Sequence, residues 1–152
     1  MMLGLPGSGK TTFSKDLQLK LSLKRFSVDE EYSRMGGDLS SPDWDKALAT
    51  KAGTYIRDET AKEVSQGQSV ILDLCPWMKN RREEYREFIK SIGGEPCAYY
   101  FDVDKEELNR RLAIRNASGD DFYIISSDML DDFIEEFDIP INEDVVLISS
   151  TE

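Results

Sequence analysis

The segment Gly4-Leu5-Pro6-Gly7-Ser8-Gly9-Lys10-Thr11 has a glycine at each end of the span 4–9, followed by lysine and a hydroxyl residue. Glycines at 4, 7 and 9 open backbone angles closed to other residues. Successive N–H groups can then turn inward around phosphate oxygens where a helix begins. In such a loop Lys10 reaches the β- and γ-phosphates of a triphosphate and the Thr11 hydroxyl ligates Mg²⁺, with Pro6, Ser8 and Thr12 completing the wall. The alternative is an ordinary glycine-rich turn. Apolar residues at 13, 17 and 21 favour a helix opening at the loop, over Thr11 to Leu23.

A loop of this kind normally follows a buried strand of several residues, yet only Met1-Met2-Leu3 precede it. The expectation is a numbering that starts inside a longer natural chain, rather than an unusually short first strand. The 152 residues, 39% of them apolar, suit one domain with a single core over 1–152. No apolar run approaches membrane-spanning length and no signal peptide precedes the loop, so the expected location is the cytoplasm, with no membrane partner. Cys75 and Cys97 have neither metal-ligand spacing nor a disulfide-rich setting and read as buried thiols.

The net charge of −11 is unevenly placed: residues 1–115 hold 19 basic and 19 acidic residues, the remainder none and 11. Such an acidic run reads as a solvated face. It argues against extended nucleic-acid binding, which rests on Lys and Arg.

Lys24 to Val28 reads as a short strand that delivers Asp29-Glu30-Glu31 at its C-terminal end, where open α/β sheets meet their substrates. Ser41 is placed to cap a helix beginning at Pro42, and Trp44, Leu48, Tyr55, Ile56 and Val64 keep helical spacing to Gly67. The Trp and Tyr read as core, with a substrate platform as the alternative. Ser69 to Asp73 has the composition of a doubly buried parallel strand ending in an acid. Asp73 is read as holding the Mg²⁺ water shell or the Thr11 hydroxyl, the alternative being a helix cap.

Asn80 to Ile92 reads as an amphipathic helix closed by Gly93-Gly94, and Ala98 to Phe101 as the next strand. Asp104 to Glu107 resembles a capping box. Its helix places Arg111 and Arg115 four apart on one face, with Arg110 pointing elsewhere. Two guanidinium groups so placed suit phosphate oxygens and neutralise charge as a phosphoryl group moves; a Glu107–Arg111 surface pair is the alternative. Ser127 can cap a helix through Phe137, and Val145 to Ile148 supplies a last strand. Strands alternating with helices imply a right-handed, mostly parallel three-layer α/β domain with helices on both faces.

These residues resemble the small P-loop kinases of the polynucleotide-kinase-like or "predicted kinase" type, an AAA-type ATP-binding group. The resemblance rests on Gly4 to Thr11, Asp29 about twenty residues after Lys10, Val70 to Asp73, Arg111 to Asn116 and Phe137 to Glu143. It implies the P-loop NTPase fold, a five-stranded sheet in the order 2-3-1-4-5, which keeps the two cysteines apart. It also implies a lid at about 115–127 starting at the lid arginine Arg115, Asp29 as base or orienting carboxylate, and Arg34 as a substrate-phosphate contact. The reading that follows is phosphoryl transfer from Mg²⁺-ATP to a hydroxyl of a small metabolite, nucleoside or polynucleotide end. An ATP-binding regulatory module and a nucleoside triphosphatase are the alternatives. With no histidine in the chain, a phosphohistidine route is excluded.

Overall fold

Each described strand is short, two to four residues, and the chain alternates between strands and helices. A computed structural model describes residues 1–41, 43–118 and 124–149. In chain order the elements are β1 (Met2–Leu3), α1 (Lys10–Leu21), β2 (Lys24–Ser27), α2 (Val28–Arg34), α3 (Lys46–Ser65), β3 (Val70–Asp73), α4 (Lys79–Ser91), β4 (Tyr99–Asp102), α5 (Lys105–Ser118), α6 (Ser127–Glu136) and β5 (Val146–Ser149).

All strand pairs are parallel. β2 lies against β3 with Ser27 opposite Asp73, while β4 lies between β1 and β5, with Tyr99 opposite both Met2 and Val146. The adjacencies 2-3, 1-4 and 4-5 are therefore hydrogen-bonded. Among the described residues β3 and β1 share no ladder, so the strands fall into two sheets, β1-β4-β5 and β2-β3, rather than the single five-stranded sheet expected; Leu3 with Leu72 and Met2 with Ile71 share side-chain clusters across the break.

Period-two alternation makes these strands the middle of three layers. Met2, Ile71, Tyr99 and Phe101 pack with Phe13 and Leu17 of α1. Leu3, Leu72 and Tyr100 face the other way, onto Ile56 of α3 and Tyr85, Phe88 and Ile89 of α4. A third cluster, Leu108 and Leu112 of α5 with Leu130, Phe133 and Ile134 of α6, closes over Leu5 at the loop.

Several boundaries and burials differ from the sequence expectations. The α3 helix starts at Lys46, capped by Asp45, whose carboxylate accepts from Leu48 N at 3.0 Å. Ser41 instead accepts from Asp43 N at 3.1 Å, and Pro42 lies outside the described residues. The reason is Tyr32: its ring stacks on Trp44 with centroids 4.1 Å apart, and its hydroxyl accepts from Asp45 N, which holds residues 43–45 out of the helix. Trp44 and Tyr55 are accordingly not core: both are exposed, and Arg34 covers the Tyr55 ring. Leu21 is also exposed, because α1 ends there and has run past the sheet.

Ser126, not Ser127, caps α6, accepting from Met129 N. Only one arm of the Asp104–Glu107 box forms, Glu107 N donating to Asp104 Oδ1 at 2.9 Å, since the Glu107 carboxylate is taken by arginines. Cys97 is exposed and Cys75 half-buried; both are free, and Cys75 Sγ donates to the Gly4 carbonyl at 2.9 Å. In the expected lid region, residues 119–123 lie outside the described residues.

Candidate active site

The loop between β1 and α1 is shaped by its glycines. Gly7 has φ 82° and a Cβ there would lie 3.0 Å from Leu112 Cγ, so any larger residue would push α5 away. Gly9, at φ 95°, occupies the N-cap position of α1 and supplies no side-chain cap, which leaves the first-turn N–H groups to an external acceptor. Lys10 folds back along the loop: Nζ donates to the Leu5 carbonyl at 2.9 Å and lies 3.4 Å from Ser8 Oγ. Gly4 and Ser8 are buried, Pro6 is half-buried, and Thr11 and Thr12 stand exposed on the first turn of α1.

Asp73 ends β3 beside that turn. Its Oδ2 accepts from Ser14 Oγ of α1 at 2.9 Å and from Arg25 Nη2 at 2.8 Å. The expected carboxylate is therefore at the loop's helix, but linked to it through Ser14. Period-two alternation accounts for this arrangement, since Arg25 and Asp73 both project from their strands onto the α1 face. The Arg25 side chain is 3% exposed and was read from sequence only as part of a strand. The signal was available: Leu23, Arg25 and Ser27 alternate, and an arginine on the inward face of a strand needs acceptors.

Asp29 follows β2 and lies in the first turn of α2. The N-cap of α2 is Ser27, whose side chain accepts from Glu30 N. The Asp29 side chain opens to solvent, but flanking structure strips enough water that burial raises its carboxyl above the ordinary 3.8. Repulsion from Asp73 adds to this, Lys10 opposes it, and Glu30 adds a smaller push. Asp29 stands just past Ser27, the ladder partner of Asp73, so it follows the same strand end.

On the opposite side of the loop Arg111 bridges two partners, Nε donating to Glu107 Oε1 at 2.7 Å and Nη1 reaching the Ser8 carbonyl at 3.5 Å. The Glu107–Arg111 pair is therefore formed, and the same guanidinium touches the loop at Ser8. Arg110, beside it, also binds Glu107, and the two arginines hold that carboxyl down to about 2. Arg115, half-buried, lies one turn further along α5. Arg34 is not drawn toward the loop: it pairs with Glu31 and lies over the Tyr55 ring, 5.3 Å from the centroid.

Two donors fit a magnesium ion accompanying a nucleotide, the Thr11 hydroxyl and the Asp73 carboxylate. Among the described residues no group of three His, Cys, Asp or Glu forms a protein-only cage. Magnesium does not require one, because it takes phosphate oxygens and water for most of its shell.

Comparison with known proteins agrees with this architecture. The AAA domain family model matches residues 1–140. No curated protein matches the sequence. Among solved structures, a candidate kinase from Chloroflexus aurantiacus superposes with a TM-score of 0.74 at 21% identity, covering 99% of this chain and 86% of that one. Kti12 of Chaetomium thermophilum in complex with ADP-AlF3 gives 0.72 at 18%, covering 99% and 88%. A gluconokinase from Sinorhizobium meliloti 1021 gives 0.66 at 16%, covering 99% and 81%. At these identities the likeness is one of fold.

Proposed function

We propose that this chain, which belongs to the AAA domain family, is an ATP-dependent kinase that transfers the γ-phosphoryl group to a hydroxyl of a small-molecule or nucleoside-like acceptor. The observation that carries the reading is the placement of Asp29. A carboxylate that phosphate binding does not require stands two residues beyond Ser27, the ladder partner of Asp73, at the strand ends where acceptors dock.

In this reading the loop amides from Gly4 to Thr12 and the Lys10 ammonium hold the β- and γ-phosphates. Thr11 and Asp73 hold the magnesium ion, which when bound neutralises phosphate charge. Asp29 accepts the proton of the acceptor hydroxyl or fixes its oxygen in line with the γ-phosphorus. Arg111 and Arg115 supply positive charge as the phosphoryl group moves, with Arg115 opening a lid at about 115–127. Arg34 serves the acceptor only if it leaves Glu31, so its role is secondary. The gluconokinase among the structural relatives supports a small polyol-like acceptor, and the acidic C-terminal quarter disfavours a long polyanion.

The test is ADP formation from Mg²⁺-ATP with and without each member of a panel of sugars, sugar acids, polyols and nucleosides. Turnover that depends on one acceptor supports the kinase. Acceptor-independent turnover identifies a triphosphatase, and tight nucleotide binding without turnover identifies a regulatory module; either result rejects the proposal.

A further inference from the structure

Resting on the kinase reading, we infer that Arg25 is a positioning residue that locks the first turn of α2, and with it Asp29, to the helix leaving the phosphate loop. Its guanidinium makes three bonds to three elements. Nε donates to Ser14 Oγ of α1 at 2.8 Å, Nη2 to Asp73 Oδ2 at the end of β3 at 2.8 Å, and Nη1 to Glu30 Oε2 of α2 at 2.8 Å. Ser14 is wholly buried and in turn donates to Asp73. A guanidinium is planar and its N–H directions are fixed, so three simultaneous bonds set the relative orientation of their acceptors as well as their separation.

Stability alone gives little reason for this arrangement. A buried cation between carboxylates is commonly matched or exceeded by well-packed apolar residues. Arg25 stands opposite Ile71 in the ladder, on the face where Met2, Ile71 and Phe101 pack as apolar neighbours. What an apolar residue could not supply is the directional tie to Glu30. Glu30 is the chain neighbour of Asp29, and of the three tied groups it is the one nearest solvent. Lys15 of α1 also approaches Glu30, at 3.5 Å, which adds a second, exposed tie between the same two helices. Asp29 takes no part in the three bonds, so its place relative to the loop is inherited through Glu30.

Two variants separate orientation from stability. Arg25→Lys keeps a cation beside Asp73 but cannot hold three acceptors at once, and Glu30→Ala leaves the Arg25–Asp73–Ser14 bonds intact. Amide hydrogen exchange is followed with and without Mg²⁺-ADP. In the parent protein the nucleotide should slow exchange both at residues 8–14 and at residues 28–31. In either variant exchange at 28–31 should rise by about tenfold or more while α3 and β3 keep their protection, and the response of 28–31 to Mg²⁺-ADP should vanish while that of 8–14 persists. The double variant should be little worse at 28–31 than Glu30→Ala alone, because Glu30→Ala already removes both the Arg25 and the Lys15 tie. Unchanged exchange at 28–31 in both variants, or a rise spread evenly over the chain, would overturn the inference. Where the acceptor panel gives turnover, kcat should also fall by about tenfold to a hundredfold with nucleotide affinity within about threefold. If no acceptor works, the kinase reading fails while the exchange data still decide the role of Arg25.

Discussion

Lys10 is held by its own loop, with the Leu5 carbonyl and Ser8 hydroxyl as acceptors, so its ammonium is already placed before a phosphate arrives. Replacing it removes a charge-assisted contact to the nucleotide, whereas the loop's conformation rests on Gly4, Gly7 and Gly9. Lys10→Ala should weaken nucleotide affinity by roughly tenfold to a hundredfold, the equivalent of one hydrogen bond to a charged group, and move the unfolding midpoint little. Titration calorimetry with ADP and a melting curve check both. Asp29 gives a pH prediction. Burial and Asp73 raise its carboxyl above 3.8, and a base works only when deprotonated. Acceptor kcat/KM should therefore rise with pH through an acid limb lying above the ordinary carboxylate range, and Asp29→Asn should abolish that limb. The loop, and the place of Asp29 just after a strand, were readable in the sequence because both are local, a spacing and a strand end. Arg25 was not, because its role depends on Ser14, Glu30 and Asp73, which come together only in the fold. Trp44 and Cys97 were misread for a simpler reason: apolar character favours burial without requiring it.

Between elements, the least expected feature is the anchoring of the segment 137–144 to the start of α4. Met78, the N-cap of that helix, offers no side-chain cap, and Asp138 takes over from across the molecule, accepting from Lys79 N at 2.9 Å. Arg82, fully buried, binds Glu143 at 2.6 Å and the Trp77 carbonyl at 2.7 Å, and Arg86 adds a second bond to Glu143 at 2.6 Å. Glu143→Gln would leave two arginines, one of them buried, without their counter-charge, at a cost of about 3–5 kcal/mol measurable by denaturant unfolding. The two arginines hold the Glu143 carboxyl below its ordinary 4.5, Arg82 foremost. A depressed carboxylate contributes stability that is fully present above its unfolded value. That contribution should drain away as pH falls below 4.5 and through the folded value, and be absent from the Gln variant. Helices were legible as elements because apolar spacing survives in one dimension. Their starts were less so: Tyr32 held Asp45 rather than Ser41 at the head of α3, a choice made by a contact thirteen residues away.

At the scale of the molecule, the C-terminal ends of the parallel strands β1, β2 and β3 carry the phosphate loop, Asp29 and Asp73 respectively. The α5–α6 pair closes over the loop from the other side, carrying Arg111. The acidic C-terminal quarter is more than a solvated face: Asp138 caps α4, Asp131 pairs with Lys105 at 2.6 Å, and Glu143 neutralises the buried arginine. Lys10 and Arg111 stand at the loop, where a nucleotide's phosphates would lie. On the proposed function, these strand ends set Asp29 as acceptor base opposite the phosphate cradle. The most direct measurement is the initial rate of acceptor-dependent ADP formation in the parent and Asp29→Asn proteins, alongside their affinities for Mg²⁺-ATP. Asn keeps the size and removes the charge, so the rate should fall by about 10² or more with nucleotide affinity and melting temperature nearly unchanged. An Asp29→Asn protein that keeps its acceptor-dependent rate would contradict the claim and place the acceptor site elsewhere.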